Sequence, residues 1–168
     1  NQRITMYQEL GNTPLKKQTK GKLPSLPFVS IRNQILGPRF ELSILFATPK
    51  EAQRLNIEHR DKTYIPNILS FNVDKNTGEL VFCLSKIRKE AKEFNMTYHE
   101  FLGFLYIHGL LHLNGNEHGS TMDMLEQSIF KKYFGSGNKP TNGKNNSNRN
   151  RYRNIAHSSS NRRVQKRR

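Results

Sequence analysis

The chain has 168 residues, with 28 Lys/Arg against 13 Asp/Glu and a net charge of +15. That length allows one domain with an adequate core. The single cysteine, Cys83, excludes an intramolecular disulfide and reads as core filler among Val81, Phe82 and Leu84. No stretch is apolar for long enough to span a membrane, and a cytoplasmic location is the expectation. The charge is unevenly placed, since residues 136–168 carry ten Lys/Arg and no acid. Two units are therefore expected: a folded domain over 1–135 and a basic, disordered tail over 136–168, rich in Asn, Ser, Gly and Arg. Such a tail suits a polyanionic partner, nucleic acid ahead of membrane, gripped through its phosphate backbone. Its one aromatic, Tyr152, is too little for base stacking. The bland alternative is a solvated extension that keeps the protein soluble.

In chain order, residues 4–10 alternate well enough for a strand, with Ile4, Met6 and Leu10 on one face. Residues 12–22 are polar and basic and predict a loop, and 24–36 predict a helix closed by Gly37-Pro38. The largely apolar run 40–48 suits an interior strand. Thr48 then caps a helix that starts at Pro49, carries Glu51 in its first turn and runs to about residue 58. A polar connection leads to a strand at 68–73, a hairpin-like turn at 74–78 and a returning strand at 79–84. Ser85 caps a helix to about residue 95, and Thr97 caps the next, through Leu113. This last helix is apolar nearly all round (Phe101, Leu102, Phe104, Leu105, Ile107, Leu110), which predicts the buried central element. A final helix over 121–134 ends at Gly135.

His108 and His112 lie four apart on that apolar helix, so both rings project from one face within reach of a single ion. Gly115 lets the chain leave through a left-handed turn that can swing His118 back as a third ligand. Three neutral imidazoles leave a Zn²⁺ with its charge intact and one position open, the pattern of a catalytic rather than a closed structural site. One zinc per chain is expected, although nickel, cobalt or copper would also suit the ligand set. His59, His99 and His157 lack this context and read as surface residues. The spacing H-x-x-x-H-x-x-G-x-x-H is that of the metzincin proteases, but their general-base glutamate follows the first histidine, where this chain has Gly109. Glu117 is better placed to support a ligand than to replace that base, and Met122 and Met124 read as core.

The segment His108-Gly-Leu-Leu-His112-Leu-Asn-Gly115-Asn-Glu-His118 resembles the H-G-x-L-H-L-x-G-Y-D-H signature of the YbeY family, bacterial metal-dependent endoribonucleases of ribosomal RNA maturation. His108, Gly109, Leu111, His112, Leu113, Gly115 and His118 match it, while Asn116 and Glu117 replace the usual Tyr-Asp. The resemblance extends over roughly 40–134, through Glu41-Leu42-Ser43-Ile44, Leu55-Asn56 with Arg60, Leu69-Ser70-Phe71 and Gly78-Glu79-Leu80. Pro66-Asn67 stands where the family often has Thr-Asp.

The resemblance implies an α+β fold, a mixed sheet of about four strands flanked by helices, with the metal at one end of a cleft and Arg60 opposite it. It further implies a single-strand-specific, zinc-dependent endoribonuclease that matures the 16S rRNA 3' end and serves ribosome quality control. In that reading His108, His112 and His118 hold the metal, Arg60 is the catalytic and phosphate-binding residue, and Ser70 touches RNA. The partners implied are rRNA and a ribosomal subunit. Against these stand a surface ion pair of Arg60 with Glu58 or Asp61 and a purely structural hydroxyl at Ser70. Two rival functions are a non-catalytic, ribosome-associated RNA-binding factor with a structural zinc, and a zinc hydrolase of another substrate. Gly109 counts against a peptidase among the latter. The sequence leaves the oligomeric state open.

Overall fold

A computed structural model describes residues 6–10, 13–19 and 21–135. Five strands, β1 (Met6–Leu10), β2 (Thr13–Lys17), β3 (Glu41–Phe46), β4 (Ile68–Asn72) and β5 (Thr77–Phe82), form one sheet in the order β1-β2-β3-β5-β4. The sheet is mixed: β2/β3 and β3/β5 are parallel, β1/β2 and β4/β5 antiparallel. Five helices accompany it: α1 (Phe28–Ile35), α2 (Pro49–Arg60), α3 (Leu84–Glu93), α4 (Tyr98–Leu113) and α5 (Ser120–Phe134). The α+β class is the expected one, with five strands among the described residues rather than about four.

The additional strand, β2, occupies a segment whose composition predicts a loop. Thr13-Pro-Leu-Lys-Lys becomes a strand because β1 and β3 offer it partners on both sides, and pairing outweighs weak intrinsic propensity. Pro14 is tolerated because only β1 pairs at its level, the β3 ladder starting at Leu15. Two helix starts also differ from expectation. Helix α1 begins at Phe28, after Pro27, rather than near residue 24. Helix α3 begins at Leu84, with no side-chain cap, rather than behind a capping Ser85. Ile4, Tyr152, His157 and the proposed tail lie outside the described residues.

Alternation along the strands divides the apolar side chains between two layers. Leu42, Ile44, Phe46, Ile68, Leu80 and Phe82 face α1, α3 and α4 and form the main core. Leu45, Leu69, Val81 and the buried Cys83 face α2, through Ala52 and Leu55, on the other side.

Helix α4 is the centre of the main layer, buried along almost its whole length from Phe101 to Leu113. It opens on a capping box in which Thr97 accepts the Glu100 N–H and Glu100 reaches back to the Thr97 N–H. The Tyr106 hydroxyl, deep in the core, donates to the Phe28 carbonyl at 2.9 Å. Helix α5 packs on α4 at Gly103, where a Cβ would overlap the Phe134 ring. The sheet meets α4 at Gly109, where a Cβ would lie 2.8 Å from both Ile68 Cδ1 and Leu80 Cδ2.

That contact leaves no room for a methyl group unless the ends of the Ile68 and Leu80 side chains shift. Gly109→Ala is expected to lower the unfolding free energy by about 1–3 kcal/mol, read as a lower urea midpoint at unchanged slope.

Candidate metal centre

His108 and His112 stand one turn apart near the end of α4, on one face of it. The helix closes at Leu113. Gly115, at φ 86, supplies the left-handed residue that reverses the chain, and the Gly115 and Asn116 N–H groups donate to the His112 and Leu111 carbonyls at 3.0 Å each. His118 then returns to the other two rings. Ring centroids are separated by 4.5 Å (His108 to His112), 4.5 Å (His112 to His118) and 5.2 Å (His108 to His118). One ligand nitrogen from each falls within 4.8 Å of the others. Burial is graded, from buried His108 through half-buried His112 to exposed His118.

The hydrogen bonds orient the rings. His112 Nδ1–H donates to the Asn116 carbonyl at 3.1 Å, which leaves Nε2 as the free lone pair. His108 Nδ1 is hydrogen-bonded to Glu126 Oε1 of α5, a residue buried to the same degree as the histidine. The two Nε2 atoms then face each other at 3.0 Å. That contact is a hydrogen bond when one ring carries its proton on Nε2, and a pair of converging lone pairs that a cation would bridge when both carry it on Nδ1. The donor set, the spacing and the orientation therefore fit a metal such as Zn²⁺, held by His108, His112 and His118 with the side toward solvent open.

Burial pushes His108 down to about 4, opposed by the charge of Asp123. His112 is also lowered to about 4, first by burial and then by His108, His118 and Arg60. Both rings are thus neutral near pH 7, the state a metal requires. Glu126 is raised to about 8 by burial and by Asp123, against the opposing pull of His118.

Glu126 escapes a reading of the histidine motif because it lies eighteen residues beyond His108. A signal was nonetheless present. Glu126 shares the core-facing stripe of α5 with Met122 and Ile129, where a carboxylate has no business unless something pairs with it. Met122 is core as expected, whereas Met124 is 69% exposed, pointing outward from the same helix. Glu117 is exposed past the helix end, as are His59 and His99.

Arg60 is the last residue of α2, two residues beyond the expected end. Asp61 closes the helix in a left-handed conformation (φ 54), its N–H and that of Lys62 donating to the Ile57 and Asn56 carbonyls. Buried Asn56 donates from Nδ2 to the Tyr64 carbonyl at 2.9 Å, which ties the following loop back to α2. Arg60 is half-buried, and burial lowers its pKa against the opposing influence of Tyr64. Its charge slightly disfavours protonation of His112, so Arg60 lies within electrostatic range of the histidine site. Glu58, one candidate partner, is instead engaged by Arg54.

Ser70 is half-buried on β4. It lies on the α4 side of the sheet, two residues beyond Ile68 and between the levels at which Gly109 and Leu113 touch the strands. Asn67 has a structural role at the start of β4. Its Nδ2 donates to Glu90 at 2.7 Å, its Oδ1 accepts the Ile68 N–H at 2.7 Å, and its carbonyl accepts the Cys83 N–H at 2.9 Å.

Two imidazoles from a buried helix and a third from the turn that follows it, within an α+β frame, define a protein with a three-histidine candidate metal site. The family model described as Endoribonuclease YbeY matches residues 14–133, and the chain belongs to that family. Endoribonuclease YbeY of Bdellovibrio bacteriovorus is 42% identical over 82 residues, which cover 48% of this chain and 55% of that protein. The Colwellia psychrerythraea protein of the same name is 34% identical over 123 residues, 68% of this chain and 79% of that one. The chain thus spans from about half to about four fifths of these relatives. The solution structure of the Thermotoga maritima protein TM1509 shares the fold, with a TM-score of 0.50 at 22% identity over 68% of this chain and 85% of that one.

Purified protein is expected to carry about one zinc per chain by mass spectrometry, and His112→Ala to lose it. Retention of stoichiometric metal by that variant would mean the ion is bound elsewhere.

Proposed function

We propose that the chain is a single-strand-specific, metal-dependent endoribonuclease of ribosomal RNA maturation, acting on the 16S rRNA 3' end and in ribosome quality control in the cytoplasm. The observation that supports this reading best is the convergence of His108, His112 and His118, with the charge of Arg60 in electrostatic range of His112, in a chain of the YbeY family. His108, His112 and His118 would hold a zinc ion, which when bound would supply Lewis acidity and lower the pKa of a water toward ~7.

The residues of the chain do the rest. The planar guanidinium of Arg60 binds a phosphodiester in bidentate fashion and offsets the negative charge that grows on it during hydrolysis. Half-burial strengthens that interaction by excluding part of the screening water. Ser70 offers a hydroxyl to the RNA from β4. The basic tail adds affinity for phosphate that is sequence-tolerant and salt-dependent. Peptide hydrolysis is disfavoured, because position 109 points into the sheet against Ile68 and Leu80, where no general base could reach a substrate.

The ten basic residues of 136–168 favour one competing reading, a non-catalytic RNA-binding factor of the ribosome whose metal is structural. Cleavage of a single-stranded RNA separates the two. Arg60→Ala is expected to lower kcat about 10²–10³-fold with zinc content unchanged. Deleting 136–168 is expected to raise KM and flatten its salt dependence while kcat stays near wild type. Full cleavage by Arg60→Ala or by His112→Ala would overturn the proposed mechanism.

A further inference from the structure

We propose that Glu126 is a positioning residue of the histidine site, holding the His108 ring so that its Nε2 faces the point shared with His112 and His118. The inference rests on the reading of the three histidines as metal ligands. It starts from an energetic oddity. Glu126 is 2% exposed, on a helix face otherwise given to Met122 and Ile129, and among the described residues its hydrogen-bond partner is His108. A carboxylate in such a place is costly, and an apolar side chain of similar volume would pack there at least as well. The acid gains nothing for the fold that leucine would not. It does gain control of a ligand: accepting from His108 Nδ1–H selects the tautomer with a free Nε2, fixes the ring's rotation and raises its basicity.

The neighbouring ligand shows the same need met differently. His112 Nδ1–H is held by the Asn116 carbonyl, a backbone group that the α4 terminus positions through Gly115. His108 lies deeper, inside the regular helix, where the carbonyls are committed to helical hydrogen bonds. Its orienting acceptor has to come from another element, and α5 is the one packed against that face, through Met122 and Ile129.

The test uses the full chain with two variants of similar volume. Glu126→Leu removes the acceptor, and Glu126→Gln keeps an acceptor oxygen but cannot ionise. Zinc affinity is measured by competition with a chromophoric chelator, the visible spectrum is recorded with Co²⁺ in place of zinc, and the unfolding midpoint is taken on metal-free protein. The expected result is zinc affinity reduced about 10–100-fold for Glu126→Leu and less for Glu126→Gln, an altered Co²⁺ spectrum, and a metal-free midpoint unchanged or raised. Wild-type affinity in Glu126→Leu overturns the proposal, whether or not the midpoint falls. If Glu126→Leu does not fold, Glu126→Gln decides: weakened zinc binding supports the proposal and wild-type binding overturns it. A wild-type protein that binds no zinc overturns the metal-site reading along with this one.

Discussion

Helix α4 must be covered on every side, because from Phe101 to Leu113 it offers solvent almost nothing but part of the His112 ring. A single sheet face cannot do this. The β3–β5 region takes one flank, α1 and α3 take others through Phe28 and Ile87, and α5 closes the remainder. The order of elements follows from that demand: the sheet is complete before α4 begins, and α5 folds back over it afterward. Small residues mark the closest approaches, with Gly109 against the sheet and Gly103 against the Phe134 ring. The fold is an enclosure built around one helix.

Polar groups inside such an enclosure must find partners within it, and this is what shapes the site. His108 is as buried as the leucines around it, and its partners are Glu126 on one nitrogen and the other imidazoles on the other. Burial also strips the rings of protons near neutrality, which removes the usual competitor for a metal. The gradient from buried His108 to exposed His118 places the open side of the cluster at the mouth of the enclosure.

What was legible in the sequence was what is encoded locally. The α4 cap was readable from Thr97, its burial from its unbroken apolar surface, and the ligand cluster from three histidines within one turn and a reversal. What was not legible depends on contacts between distant segments. The strand β2 exists because of its neighbours rather than its residues, and Glu126 acquires meaning only once α5 is laid on α4. Arg60 is intermediate. Family resemblance singled it out, but its half-burial and its place at the last turn of α2, where Asp61 turns the chain away, come only with the fold. Gly109 changed meaning altogether: read as the absence of a catalytic glutamate, it is in the fold the place where helix and sheet touch.

The antiparallel return of α5 along α4 also determines where the described residues end. Phe134 ends α5 against His99, at the start of α4, with ring centroids 5.5 Å apart. From His99 to His112 the helix rises roughly 20 Å at 1.5 Å per residue. Gly135, the last described residue, therefore lies at the pole opposite the ligands, with α4 as a fixed strut of roughly 20 Å between them.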